Sequence, residues 1–498
     1  MAGEHRDVVI IGAGISGIGA ACRLSTECPD RSYLILERRP QLGGTWDLFR
    51  YPGVRSDSDM YTFGYDFRPW PDTQVVADGP RILEYLRDTA AEYDVPEHIR
   101  FDRKVVSARW STPAGTWTIE SVHEATGERH ITTANILLCC TGYYNYDTGY
   151  RPPFPDEDRF TGKVVHPQQW PDDLDYAGKR VVIIGSGATA MTLVPAMAPD
   201  AEHITMLQRS PGYVVSVPAD DKISEMLAKA LPDGAVYRLA RARNIAIQRA
   251  MYAFARGRPQ LARKLILRGA ERHLAGTSDL GNFTPRYDPW DQRLCIVPNA
   301  NLFRAIRSGR ADVVTDTVDS FTETGIRLTS GAELAADIIV VATGLDVQLL
   351  GGASMVIDGV PLDVDRKVTY KAVLIEDVPN AAVVFGYTNA SWTLKADLAA
   401  RYMCRLLNHM SRHGYTQFVV HATDSDRGPD SVLGSLNAGY VRRGNDSLPR
   451  QGTHGVWRVS NNYYRDRRML RRDPVDDGVV RFRAAPADNV AEPPRVSA

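Results

Sequence analysis

The apolar positions fall into two recurrences of one pattern. DVVIIGAGISGIGAACRL at 7–24 and RVVIIGSGATAMTLVPAM at 180–197 each run from a β-branched stretch through a glycine turn into apolar residues at helical spacing. A short continuous apolar run predicts a strand buried on both faces, and the change of period after the turn predicts a helix. Strand, glycine turn and helix together open a doubly wound α/β domain. Each unit is answered downstream by a buried-strand run ending in Thr-Gly, ILLCCTGYY at 136–144 and DIIVVATGLD at 337–346. A further strand, NAAVVFGY, and a helix from about Ser391 to His409 follow Gly344 and need a sheet to join. The predicted fold is α/β, with two doubly wound, Rossmann-like dinucleotide-binding domains, the second inserted in the first. The expected boundaries are 1–147 and 345–483 for the two parts of the first domain and 148–344 for the second.

Residues 221–280 depart from this scheme. The pattern turns helical and basic, with Arg at 238, 241, 243, 249, 256, 258, 263, 268 and 272. One reading is a solvated helical subdomain folded against the second domain. The other is a basic surface that touches anionic lipid or covers a substrate entrance. The end of the chain, 484–498, is small, polar and Pro-rich, and is expected to be disordered.

Composition narrows the function classes. A chain of 498 residues with 44% hydrophobic residues and net charge −1 is an ordinary globular protein of two or three domains. Near-neutral charge gives no reason to expect nucleic acid as a partner. Six cysteines without a C-x-x-C exclude the thioredoxin-type redox motif and the usual zinc spacings, so no metal is expected and a reducing cytoplasm suits the chain. The longest apolar runs are strand-length, which predicts no transmembrane segment. The first strand begins too near Met1 for a signal peptide. The expected location is cytoplasmic, with peripheral contact at the inner face of the membrane compatible with the basic segment. Oligomeric state is left open.

The two glycine turns differ in the nucleotide they suit. Gly12, Gly14 and Gly17 form G-x-G-x-x-G, with Ser16 inside it, and the next strand ends at Glu37, twenty residues past Gly17. An acid there accepts from ribose hydroxyls, as in FAD or NAD sites. The second turn, from Gly185 through Ser186, Gly187, Ala188, Thr189 and Ala190 to Met191, is G-x-G-x-x-A. Its following strand ends in Gln208-Arg209-Ser210, where a guanidinium and a hydroxyl suit a 2′-phosphate. The second domain therefore reads as NADPH-binding. Two dinucleotide domains point to hydride transfer from NADPH to a flavin. With no cysteine pair to receive the electrons, oxygen is the remaining acceptor.

Two further motifs carry a family resemblance. FTGKVVHPQQWP is F-x-G-x-x-x-H-x-x-x-W-P, with Phe160, Gly162, His166, Trp170 and Pro171. GGTWDLFRYPGVRSD at 43–57 has neither helical nor strand period and contains Gly-Gly-x-Trp, Tyr-Pro-Gly and a closing Asp57. In both motifs the chain resembles the type I Baeyer–Villiger monooxygenases, over nearly its whole length. The resemblance implies FAD, NADPH and O2, and a C4a-peroxyflavin that attacks ketones to give esters or lactones, with S-oxygenation of thioethers or thioamides beside it. It implies Arg293 and Asp57 as the catalytic pair, buried together. It further implies flavin contacts at Gly44, Thr45, Trp46, Asp47 and Leu48, a backbone contact to adenine at Val105, and contacts to the nicotinamide half of NADP at Arg55, Ser56 and Asp57. Some relatives carry a lysine where this chain has Gln292, so NADPH preference is expected to rest on Arg209 and Ser210. His166 is read as holding the linker between domains. The alternative enzyme is an S- or N-oxygenating flavin monooxygenase without physiological ketone activity. The contrasting class, a non-catalytic flavoprotein, is disfavoured by the intact NADPH turn.

Overall fold

The computed structural model describes residues 4–484. The expected disordered tail lies outside the described residues except for Ala484, which ends a strand paired with Tyr415–Val420.

Strand β1 (Glu4–Ile11) leads through the first glycine turn into helix α1 (Ile15–Glu27) and then strand β2 (Tyr33–Leu36). β1 lies parallel between β2 and β3 (Arg129–Cys139) in a nine-stranded sheet. The β-branched run Val8–Ile11 is buried, which is why it reads as continuous rather than alternating. The second unit, β4 (Arg180–Ile184), α2 (Ala188–Met197) and β5 (His203–Gln208), repeats the scheme in a five-stranded parallel sheet.

After β5 the chain forms three helices: α3 (Lys222–Ala228), α4 (Asp233–Gly257) and α5 (Pro259–Leu274). It returns through β6 (Cys295–Pro298), paired with Val214–Val217, and β7 (Ile338–Val341), paired with β4. Beyond Gly344, strand Ala381–Val383 adds to β3 at Leu137–Cys139, back in the first sheet. Helix α6 (Trp392–His413) then packs along α1.

In both sheets the strand that feeds the glycine turn has a parallel neighbour on each side. Strand order reverses there, and the carboxyl ends open into a crevice. Both glycine turns lie at such points. All six cysteines are buried and free.

Candidate functional site

The first turn is built so tightly that side chains are excluded. Gly12 has φ +100°, and a Cβ on it would meet the Cys140 carbonyl oxygen at 2.8 Å. A Cβ on Gly17 would come within 1.9 Å of the Gly12 oxygen, so this glycine sets the closeness of helix and strand. Gly14 caps α1 without any side-chain acceptor, leaving the first amides of the helix to a ligand. Glu37 is buried, and its two oxygens accept from the backbone N–H of Ala13 (2.6 Å) and of Arg39 (2.9 Å). Burial raises its pKa, against those two amides. The carboxylate expected at a ribose thus also braces the turn, and each oxygen keeps a lone pair to offer. Glu37 and Val105 line one pocket together with Gly12, Gly14 and Gly44. The Ser16 hydroxyl accepts from the indole N–H of Trp392 at 2.9 Å, which brings the start of α6 to the start of α1.

The loop 43–57 connects the two halves. Gly43 donates to the Ala13 carbonyl at 3.0 Å, and Gly44 approaches Gly14 so closely that a Cβ would lie 2.9 Å from its Cα. Trp46 packs against both the first and the second core. Farther on, Gly53, with φ +74°, would place a Cβ 2.6 Å from that of Ala196 on α2. Tyr51 is buried in the second core, and burial pushes its phenol up to about 12, with the Thr189 hydroxyl holding it back. The absence of period in this loop is explained: it runs along two domains, and its residues alternate partners rather than faces. Thr45 bonds the Tyr144 phenol. Asp47, expected at the flavin, is buried and committed to Arg39, Gln41 and Arg50. Its side chain therefore shapes the loop, while Leu48 is half-buried beside it.

At the far end of the loop, Arg55 donates to the Ile296 carbonyl at 2.9 Å, tying the loop to β6 three residues after Arg293. Ser56 is buried and bonded to Ser58. Asp57 is half-buried; desolvation raises its pKa, opposed by the charges of Arg55 and Arg293. For Arg293, desolvation acts downward, and Tyr440, Tyr143 and Asp57 outweigh it, so its pKa is raised further. Arg293 is open to solvent, which corrects the expectation of a pair buried together. Nor do the two groups form an ion pair among the described residues; each lies within reach of the other's field, with Arg55 as a second cation. A guanidinium with open surface, beside a half-buried carboxylate, can stabilise an anionic oxygen brought next to it. Just before it, Trp290 has φ +73°, rare for a bulky residue, and its ring meets Tyr252 of α4 edge-on at 5.6 Å.

The second turn follows the first in geometry. Gly185 has φ +143°, and a Cβ would lie 2.3 Å from the Ala342 oxygen. Gly187 caps α2 with no side-chain acceptor and has open space around it. Ser186 Oγ donates to the Ser210 carbonyl at 3.1 Å. Arg209 and Ser210 are exposed, as is Ala188. The side chains of Ala190 and Met191 are buried in the second core. Sequence reasoning missed Arg443. Its guanidinium lies 3.4 Å from the Tyr150 ring centroid and 3.4 Å from the Leu345 carbonyl. Desolvation lowers its pKa, against Tyr150 and Asp346 and helped by the like charge of Arg209. No local motif marks it, because it arrives from the far side of the first domain.

The signature residues are placed at the crossing between sheets. Phe160 is buried edge-on to Phe321, and a Cβ on Gly162 would lie 2.4 Å from the Asp337 oxygen. Trp170 packs on the second core, and the Pro171 carbonyl accepts from Leu174. His166 Nδ1 accepts from the Gln168 N–H at 3.2 Å, and burial lowers its pKa. Its ring lies on Gly149, where a Cβ would fall 1.9 Å from Cε1. Gln168 and Gln169 bond the carbonyls of Asn145 and Asp147 in the same linker.

Comparison with known proteins agrees with this geometry. Residues 5–413 match the family model described as flavin-binding monooxygenase-like. MymA of Mycobacterium tuberculosis is 55% identical over 98% of this chain and 99% of its own. The FAD-containing monooxygenase EthA of the same organism is 51% identical over 97% of this chain and 99% of its own. Among solved structures, an oxidized steroid monooxygenase bound to NADP superposes with TM-score 0.75 at 23% identity, covering 97% of this chain and all of that one. An open form of cyclohexanone monooxygenase gives TM-score 0.75 at 20% identity, with coverage of 97% and 100%. At such identities these structures establish the fold alone. Two glycine-turn sheets joined by the loop 43–57, together with full-length relatives at this identity, establish that the chain belongs to the flavin-binding monooxygenase-like family.

Proposed function

We propose that the chain is an FAD-containing, NADPH- and O2-dependent monooxygenase of the Baeyer–Villiger type, which converts ketones into esters or lactones. One oxygen atom enters a carbon–carbon bond; the other leaves as water, taking up a hydride from NADPH and one proton from the medium. The relatives named as FAD-containing monooxygenases and the NADP-bound steroid monooxygenase support the pairing of cofactors.

The residues fit both groups. The first turn packs Gly12 against Cys140 and Gly44 against Gly14 too closely for any Cβ, and it offers Glu37 as acceptor and uncapped amides at α1. The second offers uncapped amides at α2 and the exposed pair Arg209 and Ser210 beside Arg443. When bound, the flavin supplies the two-electron activation of dioxygen that no side chain provides. Arg293, cationic at any working pH, stabilises negative charge on the substrate oxygen. Asp57 and Arg55 set the potential at that guanidinium. Trp46, packed across both cores, and Tyr51, buried in the second, exclude water between the two sheets.

The observation that carries the reading is the bond from Arg55 to the Ile296 carbonyl at 2.9 Å, which ties the loop ending in Asp57 to the segment that bears Arg293. Oxygen transfer to a sulfur atom builds up no alkoxide, so the two oxygenations separate in one variant. Arg293→Ala is expected to lower ester formation about 10²–10³-fold, with sulfoxide formation reduced far less and NADPH still oxidised. Product analysis by mass spectrometry on a ketone and a thioether tests this. Esters formed by the variant at the parental rate would remove the proposal.

A further inference from the structure

We propose that the outer face of α3–α5 docks on an anionic lipid bilayer. Nine of the twelve large hydrophobic side chains exposed among the described residues belong to this segment, between Ile223 and Leu265. On α4, Ile247, Met251 and Phe254 recur at intervals of four and three and so share a helix face. Leu261 and Leu265 are one turn apart on α5, Ile223 and Met226 on α3, and both helices pack against α4. Met226 is 66% exposed and Met251 50%, values that burial in this chain does not explain.

The charge around these side chains selects the partner. Residues 222–272 contain twelve Lys and Arg against three Asp and Glu, a net +9 in a chain whose total is −1. Some of these cations work inward: Arg241 donates to the carbonyls of Tyr61 and Gly64, and Arg256 pairs with Asp291. Among the described residues, Arg238, Arg249, Arg258, Lys264 and Arg268 form no ion pair. Exposed hydrocarbon side chains on helices that also carry unpaired cations, with Lys264 and Arg268 on the same face of α5 as Leu261 and Leu265, match acyl chains beneath anionic head groups. A second copy of the same face would bring +9 against +9. A polyanion without an apolar layer would leave the hydrophobic residues in water. No helix among the described residues is long and apolar enough to cross a membrane, so the contact is interfacial.

The inner faces of the same helices hold the loops of the candidate site. Asn244 and Gln248 bond Asp59, two residues past Asp57, and Arg256 holds Asp291, two before Arg293. Docking would therefore set that site beside the lipid phase. The inference does not depend on the oxygenation chemistry.

Sedimentation of the full chain with vesicles tests it, comparing phosphatidylcholine alone with an equal mixture of phosphatidylcholine and phosphatidylglycerol. Binding to the anionic vesicles is expected to be at least about tenfold tighter and to weaken with added salt. Met251→Ser with Phe254→Ser, and separately Arg249→Glu with Arg268→Glu, are each expected to weaken it about tenfold or more. All four side chains are exposed, so both variants should keep the parental melting temperature. Equal binding to both vesicle types overturns the proposal, as does full binding by both variants. Self-association that disappears in the variants without any vesicle binding also overturns it, in favour of a contact between copies. The salt response of the parent protein reads out the charge contribution without any variant.

Discussion

Asp57 in its charged form costs the folded chain stability. Burial holds its pKa above the ordinary value, against Arg55 and Arg293. A raised carboxylate pKa means that the folded chain binds more protons than the unfolded one. Stability from this group is therefore lost as pH rises from about 3.9 through the folded pKa, and stays lost above it. In Asp57→Asn that titration is gone. The melting temperature of the variant relative to the parent is expected to climb with pH over this window and then level off, while ester formation falls. A relative melting temperature that drops as pH rises would show that the native pKa is depressed instead. At the second nucleotide turn, Arg209 is exposed and free to meet a phosphate. Arg209→Ala is expected to raise KM for NADPH about tenfold or more, the loss of one charge-assisted contact, and to leave KM for NADH nearly unchanged. Arg443→Ala should act in the same direction more weakly, and steady-state kinetics with both cofactors reads the difference.

Between elements, the informative contact is that of His166 with Gly149. The glycine leaves just enough room for the imidazole ring, and the glutamines that follow bond the same linker. Gly149→Ala is expected to cost about 1–3 kcal/mol of stability through overpacking. In a His166→Ala background the same substitution should cost much less, a coupling that a double-mutant cycle in urea measures. Much of this arrangement was legible in the sequence. Both glycine turns announced themselves, because a close approach leaves only glycine and the flanking strands are buried on both faces. The loop 43–57 was legible as a motif but not as a bridge, since its partners Ala196 and Thr189 lie far along the chain. The committed bonds of Asp47 and the core position of Met191 were not readable either. Within a motif, nothing in residue type says which side chain turns toward the ligand and which toward the scaffold. Arg443 and the strained Trp290 depend wholly on tertiary contacts, and no periodicity reports those.

At the scale of the molecule, the helical segment is a clamp on the site. Arg241 of α4 is buried, and its guanidinium donates to the Tyr61 carbonyl at 2.6 Å and to that of Gly64 at 2.7 Å. Tyr237 donates to the Tyr65 carbonyl from one turn earlier. Arg241→Met keeps the stem and strands two buried carbonyls, at an expected cost of about 3 kcal/mol. The loss should appear as a lower urea midpoint together with a fall in kcat, because the freed segment begins just past Asp57. A fall in stability with kcat unchanged would mean that the clamp holds the fold alone.

The loop that closes on Gly44 at one end and on Gly53 at the other also limits how this protein can be recombined with its relatives. Crossover points near Tyr150 and Gly344, where the chain passes from one sheet to the other, look convenient for exchanging the five-stranded half as a cassette. Such a graft would set a foreign α2 surface against Gly53 and a foreign α4 against the Asp59 carboxylate. A working chimera has to transplant residues 43–64 along with the cassette, so that the donor's seam travels intact.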